Sequence, residues 1–298
     1  MTDTTRGALL MTIAMALFAV EDAVIKGLAG TFSAAQIIWM LGFGGVLALT
    51  VWFAARGEGA WSPHYRNRYV LLRTGFEAVG SLFFVSALAV VPLALASAVV
   101  QATPLMVAMG GAVFLGARVG WRRWLAILVG FGGVLVILRP FGQGFEATTL
   151  LAVFGMVALA GRDLTTRIVP ADISGVRLSF LAFLSLVFAG AALQIAQGAA
   201  LIIPTLWQTA VIALCVAIGL VAYLTIVAGT RTGDIAVVSS FRYTRMIFAL
   251  IVAGLAFDEQ ADVWTVVGVS IVIATGVFTL MREARMRTRR LPKGPAAR

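Results

Sequence analysis

The stretch LAGRDLTTRIV, residues 159–169, places Arg162, Asp163 and Arg167 within six positions in the middle of a chain that is 61% hydrophobic. Shifted by 141 positions it falls on FAVEDAVIKGL, residues 18–28, which places Glu21, Asp22 and Lys26 at the corresponding sites. Acid falls on acid at 22 and 163, base falls on base at 26 and 167, and the pair 21 and 162 changes sign. With the shift drifting to about 143, GFGGVLVIL (130–138) falls on IATGVFTLM (273–281), with Gly133-Val134 opposite Gly276-Val277. Self-similarity at a fixed shift is the mark of a duplicated unit.

What surrounds those charges sets their cost. Mean hydropathy is +0.99 over 298 residues, and charged residues make up 12%, against roughly a quarter in soluble domains. Apolar runs of about 17 to 25 residues, enough to cross the hydrocarbon core as helices, recur along the chain. Ten are predicted, at 7–28, 33–55, 69–90, 93–115, 122–139, 148–168, 176–197, 205–228, 235–257 and 263–281. The first is read as a retained span and not a cleaved leader, because it carries Glu21, Asp22 and Lys26 and lacks a small-residue cleavage site.

The expected fold is therefore an all-α integral membrane protein of ten helices, built from two five-helix units at 1–141 and 142–281 and followed by a basic tail at 282–298. Five is odd, so the second unit enters the membrane inverted. Inverted repeats with a midplane site are a common design of secondary transporters.

The net charge of +10 is distributed, not clustered. Arg6 precedes the first span, Arg56, Arg66 and Arg68 follow the second, and Arg118, Arg122 and Arg123 follow the fourth. Arg177, Arg231 and the tail continue the series, while the other breaks hold Arg139 or the acids Asp258, Glu259 and Asp262. By the positive-inside rule both termini are cytoplasmic. The tail is read as an anchor to anionic lipid headgroups, and nucleic-acid binding is set aside. Cys215 is the only cysteine and His64 the only histidine, so neither a zinc site nor a His-based triad can be assembled. No cofactor, metal or catalytic group is expected, and the chain is not read as an enzyme.

ALASAVVQATPLMVAMGGAVFLG (94–116) followed by WRRWLAILVGFGGVLVILRP (121–140), together with SSFRYTRMIFALIVAGLAFDE (239–259), resemble the two halves of EamA-type transporters of the drug/metabolite transporter superfamily. The resemblance runs over nearly the whole chain. It implies a ten-helix inner-membrane carrier with a central cavity lined by the front parts of both repeats, and it leaves the cargo open. The acid pair in the first helix, WRRW and FRYT are most similar to the S-adenosylmethionine-uptake-like branch. One departure is that Ala117 stands where the family often has an acid, a place the second unit fills with Glu259.

A charge at mid-membrane costs about 2.5 to 3.5 kcal/mol on the insertion scale. Apart from Arg122, Arg123, Arg139 and Arg177 at span boundaries, ten fall within the spans: Glu21, Asp22, Lys26, Arg73, Glu77, Arg162, Asp163, Arg167, Arg242 and Arg245. Helical spacing offers Asp22 with Lys26, Arg73 with Glu77 and Asp163 with Arg167 as i, i+4 pairs. Lys26, Arg73 and Arg167 also lie near span ends, where they can snorkel. Glu21, Arg162, Arg242 and Arg245 have no intrahelical partner, and the two arginines three apart suit a carboxylate or phosphate. They could equally pair with acids across the bundle.

The candidate substrate-binding residues are Glu21, Asp22, Glu77, Gln101, Arg162, Asp163, Arg242, Tyr243 and Arg245, and Pro104 is a candidate hinge or a simple packing bend. Mixed acid and base suits an amino-acid-like or S-adenosylmethionine-like zwitterion moved by alternating access, with Asp22, Glu77 or Asp163 as possible carriers of a coupling proton. Riboflavin or a nucleoside is the alternative cargo; a channel or a sensor subunit is the alternative class. The expected partners are a small-molecule substrate, membrane lipids and protons, and the protein is expected as a monomer or homodimer.

Overall fold

Helix starts follow local capping chemistry. In the computed structural model, which describes residues 2–116, 120–139, 146–170, 172–230, 232 and 235–290, the side chains of Thr2, Ser33, Asn67 and Ser174 each accept a backbone N–H from the first turn that follows. Such caps satisfy amides that have no intrahelical acceptor. They open α1 (Asp3–Leu28), α2 (Ala34–Ala55), α3 (Arg68–Val90) and α8 (Gly175–Gln197). The first three are joined by short turns, with a 3-10 turn at Pro63–Arg66 ahead of α3.

The fourth predicted span is two helices, α4 (Leu93–Val100) and α5 (Thr103–Phe114). α6 (Trp121–Leu138), α7 (Thr149–Thr166) and α9 (Leu206–Thr230) are continuous. The ninth span is divided into α10 (Ile235–Ser240), a 3-10 turn at Phe241–Tyr243, and α11 (Thr244–Phe257). The last, α12 (Val263–Arg290), carries on past the apolar run into the basic tail. Among the described residues nine segments are long and apolar enough to cross a membrane, α4 and α5 together counting as one; the divided α10–α11 segment is the tenth of the expected series. Ala117, Arg118, Arg231 and residues 291–298 lie outside the described residues.

The bundle is held chiefly by four long helix pairings: α1 with α9, α3 with α7, α2 with α8, and α6 with α12. α11 lies against α1, and α5 against α7. The main core gathers Ile37, Ile38, Leu88, Leu93, Leu105, Ile127 and Met246, all nearly or wholly buried. Large apolar side chains such as Phe43, Leu47, Val51, Leu125 and Leu128 face outward, as lipid-facing surfaces require. Trp61 and Trp121 are exposed near helix ends, where aromatic rings sit at the interface.

Small residues permit the close approaches. A Cβ on Gly190 of α8 would meet the Ala35 carbonyl oxygen at 2.9 Å and the Trp39 side chain on α2, and one on Gly133 of α6 would meet the Gly268 carbonyl oxygen of α12 at 2.9 Å. Backbone to backbone packing of this kind supplies much of the association energy between membrane helices. Loop ties close the ends: the Gln36 side chain exchanges two hydrogen bonds with the backbone of Ile202, and Arg177 donates to the Gly59 carbonyl. Between α2 and α3, Tyr65 is buried and donates to the Ala60 carbonyl at 2.7 Å; burial pushes its phenol above the usual range, so it stays neutral.

Replacing Gly190 by Leu is expected to force α2 and α8 apart and destabilise the protein by about 1 to 3 kcal/mol, the usual cost of overpacking. The check is the thermal midpoint in detergent, with Gly27→Ala as the control, since a Cβ at Gly27 meets nothing within 4 Å.

Candidate functional site

A cavity of about 430 Å³ lies in the middle of the bundle, lined by α1, α2, α3, α7, α8, α9 and both broken segments. A second space of about 280 Å³ adjoins it and shares Pro104, Asp163, Thr166 and Arg242 with it. The smaller space is bounded by Arg123 at the start of α6, Arg167 at the end of α7, and Thr279 and Leu280 on α12. These helix ends gather at the same end of the bundle as Arg68 and Arg177, here termed the basic end.

Of the residues singled out from the sequence, Glu21, Asp22, Glu77, Gln101, Pro104, Arg162, Asp163, Arg242 and Arg245 all line the central cavity. Tyr243 does not. Its ring is buried and its hydroxyl sits against Gly276 of α12, with no hydrogen-bond partner among the described residues. Position on a helix explains this: Tyr243 follows Arg242 by one residue and so points to a different face. The cavity also takes in Arg73, Ser81, Thr103 and Thr166 together with Phe18 and Phe183. Arg73 was legible as a charge, but its place near a span end favoured snorkelling.

Glu77 is the centre of one charge network. It accepts from Arg162 at 3.0 Å and from Arg73, one helical turn earlier, at 3.3 Å. Arg162 also reaches the Asp163 carboxylate at 2.9 Å. Arg73 spends its remaining donors on the Leu178 carbonyl at 3.1 Å and the Thr166 hydroxyl at 3.2 Å. A second network is a single pair: Arg245 on α11 meets Asp22 on α1 at 2.6 Å, with Phe18 and Phe84 beside its guanidinium. Asp22 and Glu77 are 3% and 8% exposed, a depth at which an unpaired charge would cost several kcal/mol.

Two of the three i, i+4 pairs expected from spacing do not form. Asp22 turns to Arg245 and leaves Lys26 free to bind Glu259 at 3.2 Å and the Val91 carbonyl at 2.7 Å. Asp163 turns to Arg162 and leaves Arg167 at the mouth of the smaller space. The reason is tertiary: the acids face the cavity, whereas Lys26 and Arg167, a full turn on, sit at helix ends where other partners or water are closer. Only Arg73–Glu77 survives as drawn from the sequence. Arg162 and Arg245, which lacked intrahelical partners, are paired.

Two of the eight charged groups lining the central cavity lack a fixed partner among the described residues, and Arg167, which lines only the smaller space, is a third. Among the described residues, the carboxyl of Glu21 makes no hydrogen bond or ion pair, and neither does the guanidinium of Arg242, whose Nε is buried without an acceptor. Both line the cavity.

The helix breaks are built alike. Pro104 deprives the Val100 carbonyl of its usual N–H donor, and the Thr103 hydroxyl takes that place at 2.6 Å. On the other side the Thr244 hydroxyl donates to the Phe241 carbonyl, also at 2.6 Å, without any proline. The Gln101 amide crosses between the breaks and donates to the carbonyls of Arg242 and Tyr243 at 3.3 Å each. Broken backbone within a membrane bundle is tolerated where side chains satisfy it in this way.

Residues 5–139 match the EamA-like transporter family. The chain is 27% identical to the riboflavin transporter of Rhizobium johnstonii, over 94% of this chain and 92% of that protein. It is 23% identical to the S-adenosylmethionine uptake transporter of Rickettsia bellii over 68% of this chain and 69% of the relative. With the pseudopaline exporter of Pseudomonas aeruginosa it shares 27% identity over 94% of this chain and 97% of that one. A crystal structure overlays 95% of this chain and 99% of its own with a TM-score of 0.60 at 17% identity, a likeness of fold alone.

Breaking the Asp22–Arg245 pair from one side tests the network. Arg245→Met, which leaves Asp22 buried and uncompensated, is expected to cost about 3 to 5 kcal/mol. Adding Asp22→Asn to it should recover much of that loss, as a double-mutant cycle on thermal unfolding in detergent would register.

Proposed function

We propose that this chain, whose residues 5–139 match the EamA-like transporter family, is a transporter that passes several times through the bacterial inner membrane and moves a small metabolite bearing both a positive and a negative group, of the amino acid or S-adenosylmethionine type, by alternating access. The observation that carries this is the cavity's charge balance. Four arginines and four carboxylates line it, all but one of each are engaged with one another, and the two left over have opposite sign.

The halves 1–141 and 142–281 act, in this reading, as inverted repeats. Support comes from contacts that recur at the repeat shift. Thr103 to Val100 and Thr244 to Phe241 are the same bond displaced by 141 residues. Gln101 bonds its own counterpart positions, 141 and 142 residues on. Gly116 and Asp258, 142 apart, both end a broken helix in the left-handed conformation, with φ of 64° and 53°. The pairings of α1 with α9 and of α3 with α7 exchange under the same shift, as do those of α1 with α11 and α5 with α7.

The basic end is assigned to the cytoplasm, with both chain termini, on the distribution of arginine. The cavity shares four of its lining residues with the smaller space at that end. The opposite end is latched: Lys26 binds Glu259, Glu259 accepts the backbone N–H of Ala94 at 3.3 Å, and Arg139 pairs with Asp262. This is an inward-facing arrangement, and a latch at one end favours a carrier over a channel. The name of the Rhizobium relative keeps riboflavin in play as cargo. S-adenosylmethionine is favoured because the two unpartnered charges match its amino-acid head group, whereas the isoalloxazine of riboflavin would leave them both unpaired.

Two measurements test this. A compound that binds at 100 times its Kd should stabilise the purified protein by about 2.7 kcal/mol, so S-adenosylmethionine, methionine and riboflavin are each tested by thermal unfolding. Proteoliposome uptake of the binder is expected to saturate, to show counterflow and to be lost in Arg242→Ala; linear, non-saturating flux would sink the carrier reading. The latch makes a separate prediction. With Cys215 replaced and a cysteine placed at Val100, Lys26→Met should speed labelling by an impermeant thiol reagent from the periplasmic side, and unchanged labelling would exclude the latch.

A further inference from the structure

Glu21 departs from its repeat counterpart in a way that defines a second role for the cavity. Its counterpart, 141 residues on, is Arg162, which finds Glu77 facing it from α3 at 3.0 Å. The residue 142 after Glu77 is Gly219 on α9, and Gly219 is what faces Glu21: a Cβ there would run into the Glu21 carboxyl. One half of the bundle thus has a charge pair where the other has a carboxyl against bare backbone. The side chain that would have neutralised Glu21 is absent from the chain, and the carboxyl is left open to the cavity.

Other groups around it do not fill the role. On its own helix Asp22 has the same sign and is held by Arg245. From α9 the nearby titratable groups are Cys215, whose thiol is turned to the Glu21 backbone carbonyl, and Tyr223, whose hydroxyl donates to the Gly175 carbonyl. From α3, Arg73 and Glu77 belong to the Arg162 network. From the second break, Arg242 lines the same cavity and makes no ion pair with Glu21, and Tyr243 points away towards α12. The three acids that spacing nominated for proton uptake, Asp22, Glu77 and Asp163, are all bound to arginine at 3.3 Å or less.

We propose that Glu21 is the exchange site of this transporter, where a proton and the cationic group of the substrate compete for one carboxyl. The inference rests on the transport reading above and assigns its coupling. Substrate arrival breaks the carboxyl O–H bond, the proton leaves to bulk water, and the ionised carboxylate pairs with the substrate's cation while Arg242 takes its anionic group. With Glu21 protonated, the lining carries four positive and three negative charges; with Glu21 ionised and a dipolar substrate bound, the sum is zero. Each cycle therefore moves one substrate molecule one way and one proton the other: a net neutral zwitterion transports charge, whereas S-adenosylmethionine, whose sulfonium leaves it with one net positive charge, exchanges for the proton without moving net charge.

The proton site is tested without any ligand. Infrared difference spectra of the purified protein between alkaline and acidic buffer are expected to show a protonated-carboxyl band that Glu21→Gln removes, Glu21→Asp retains in shifted form, and Glu77→Gln leaves in place. Absence of the band in the wild type, or its persistence in a folded Glu21→Gln protein, overturns the proposal. Exchange is tested with S-adenosylmethionine as the probe. Its apparent affinity should fall about tenfold per pH unit on the acid side of the transition, by the reciprocity of linked binding, and Glu21→Gln should flatten that dependence. Binding to the wild type with no pH dependence overturns exchange. Failure of the probe to bind, with the band intact, counts against the substrate reading of the preceding subsection and leaves the proton site standing.

Discussion

A guanidinium or carboxylate inside a membrane bundle must be compensated by its neighbours, and that requirement organises this protein. Four arginines and four carboxylates share one cavity. Their mutual bonds fix the relation of α1 to α11 through Asp22 and Arg245, and of α3 to α7 through Glu77 and Arg162. Apolar contacts against lipid discriminate weakly between helix partners, because lipid tails are as apolar as leucine. Close glycine contacts and charge pairs are what give the bundle a single arrangement.

The same requirement explains why the helices break where they do. A continuous helix through Gln101 or through Arg242 would satisfy its own carbonyls and present none of them to the facing segment. Each break frees carbonyls that a threonine one turn on, or the Gln101 amide, then satisfies. Proline assists one break and is missing from the other, so the hydroxyl bond is the common element and proline is one way of making it necessary.

Partial cancellation of charge is a useful state for a carrier. A fully paired cavity would bind nothing charged without first breaking a salt bridge, and an unpaired one would be too costly to bury. Here the pairs tie helices together, while the Glu21 carboxyl and the Arg242 guanidinium line the cavity without a partner among the described residues. The end opposite the basic one is held by a different set of charges, Lys26 with Glu259 and Arg139 with Asp262.

The apolar spans, most of their bounds to within a few residues, and the identity of nearly every cavity charge followed from the sequence, because a span of apolar residues has one stable conformation in lipid and a charge inside it stands out; the division of the fourth and ninth spans and the run of the last helix to Arg290 did not. The shift of 141 residues was equally legible, since Glu21, Asp22 and Lys26 fall on Arg162, Asp163 and Arg167 without reference to any contact. Partnership was not legible. Spacing along a helix proposed Asp22 with Lys26 and Asp163 with Arg167, and the fold replaced both, because the competing partners lie 223 residues away in one case and one residue away in the other. Nor could the sequence distinguish Glu21 from its three fellow acids: that difference depends on a glycine 198 positions later packing against it, a contact that exists only once α9 is laid along α1.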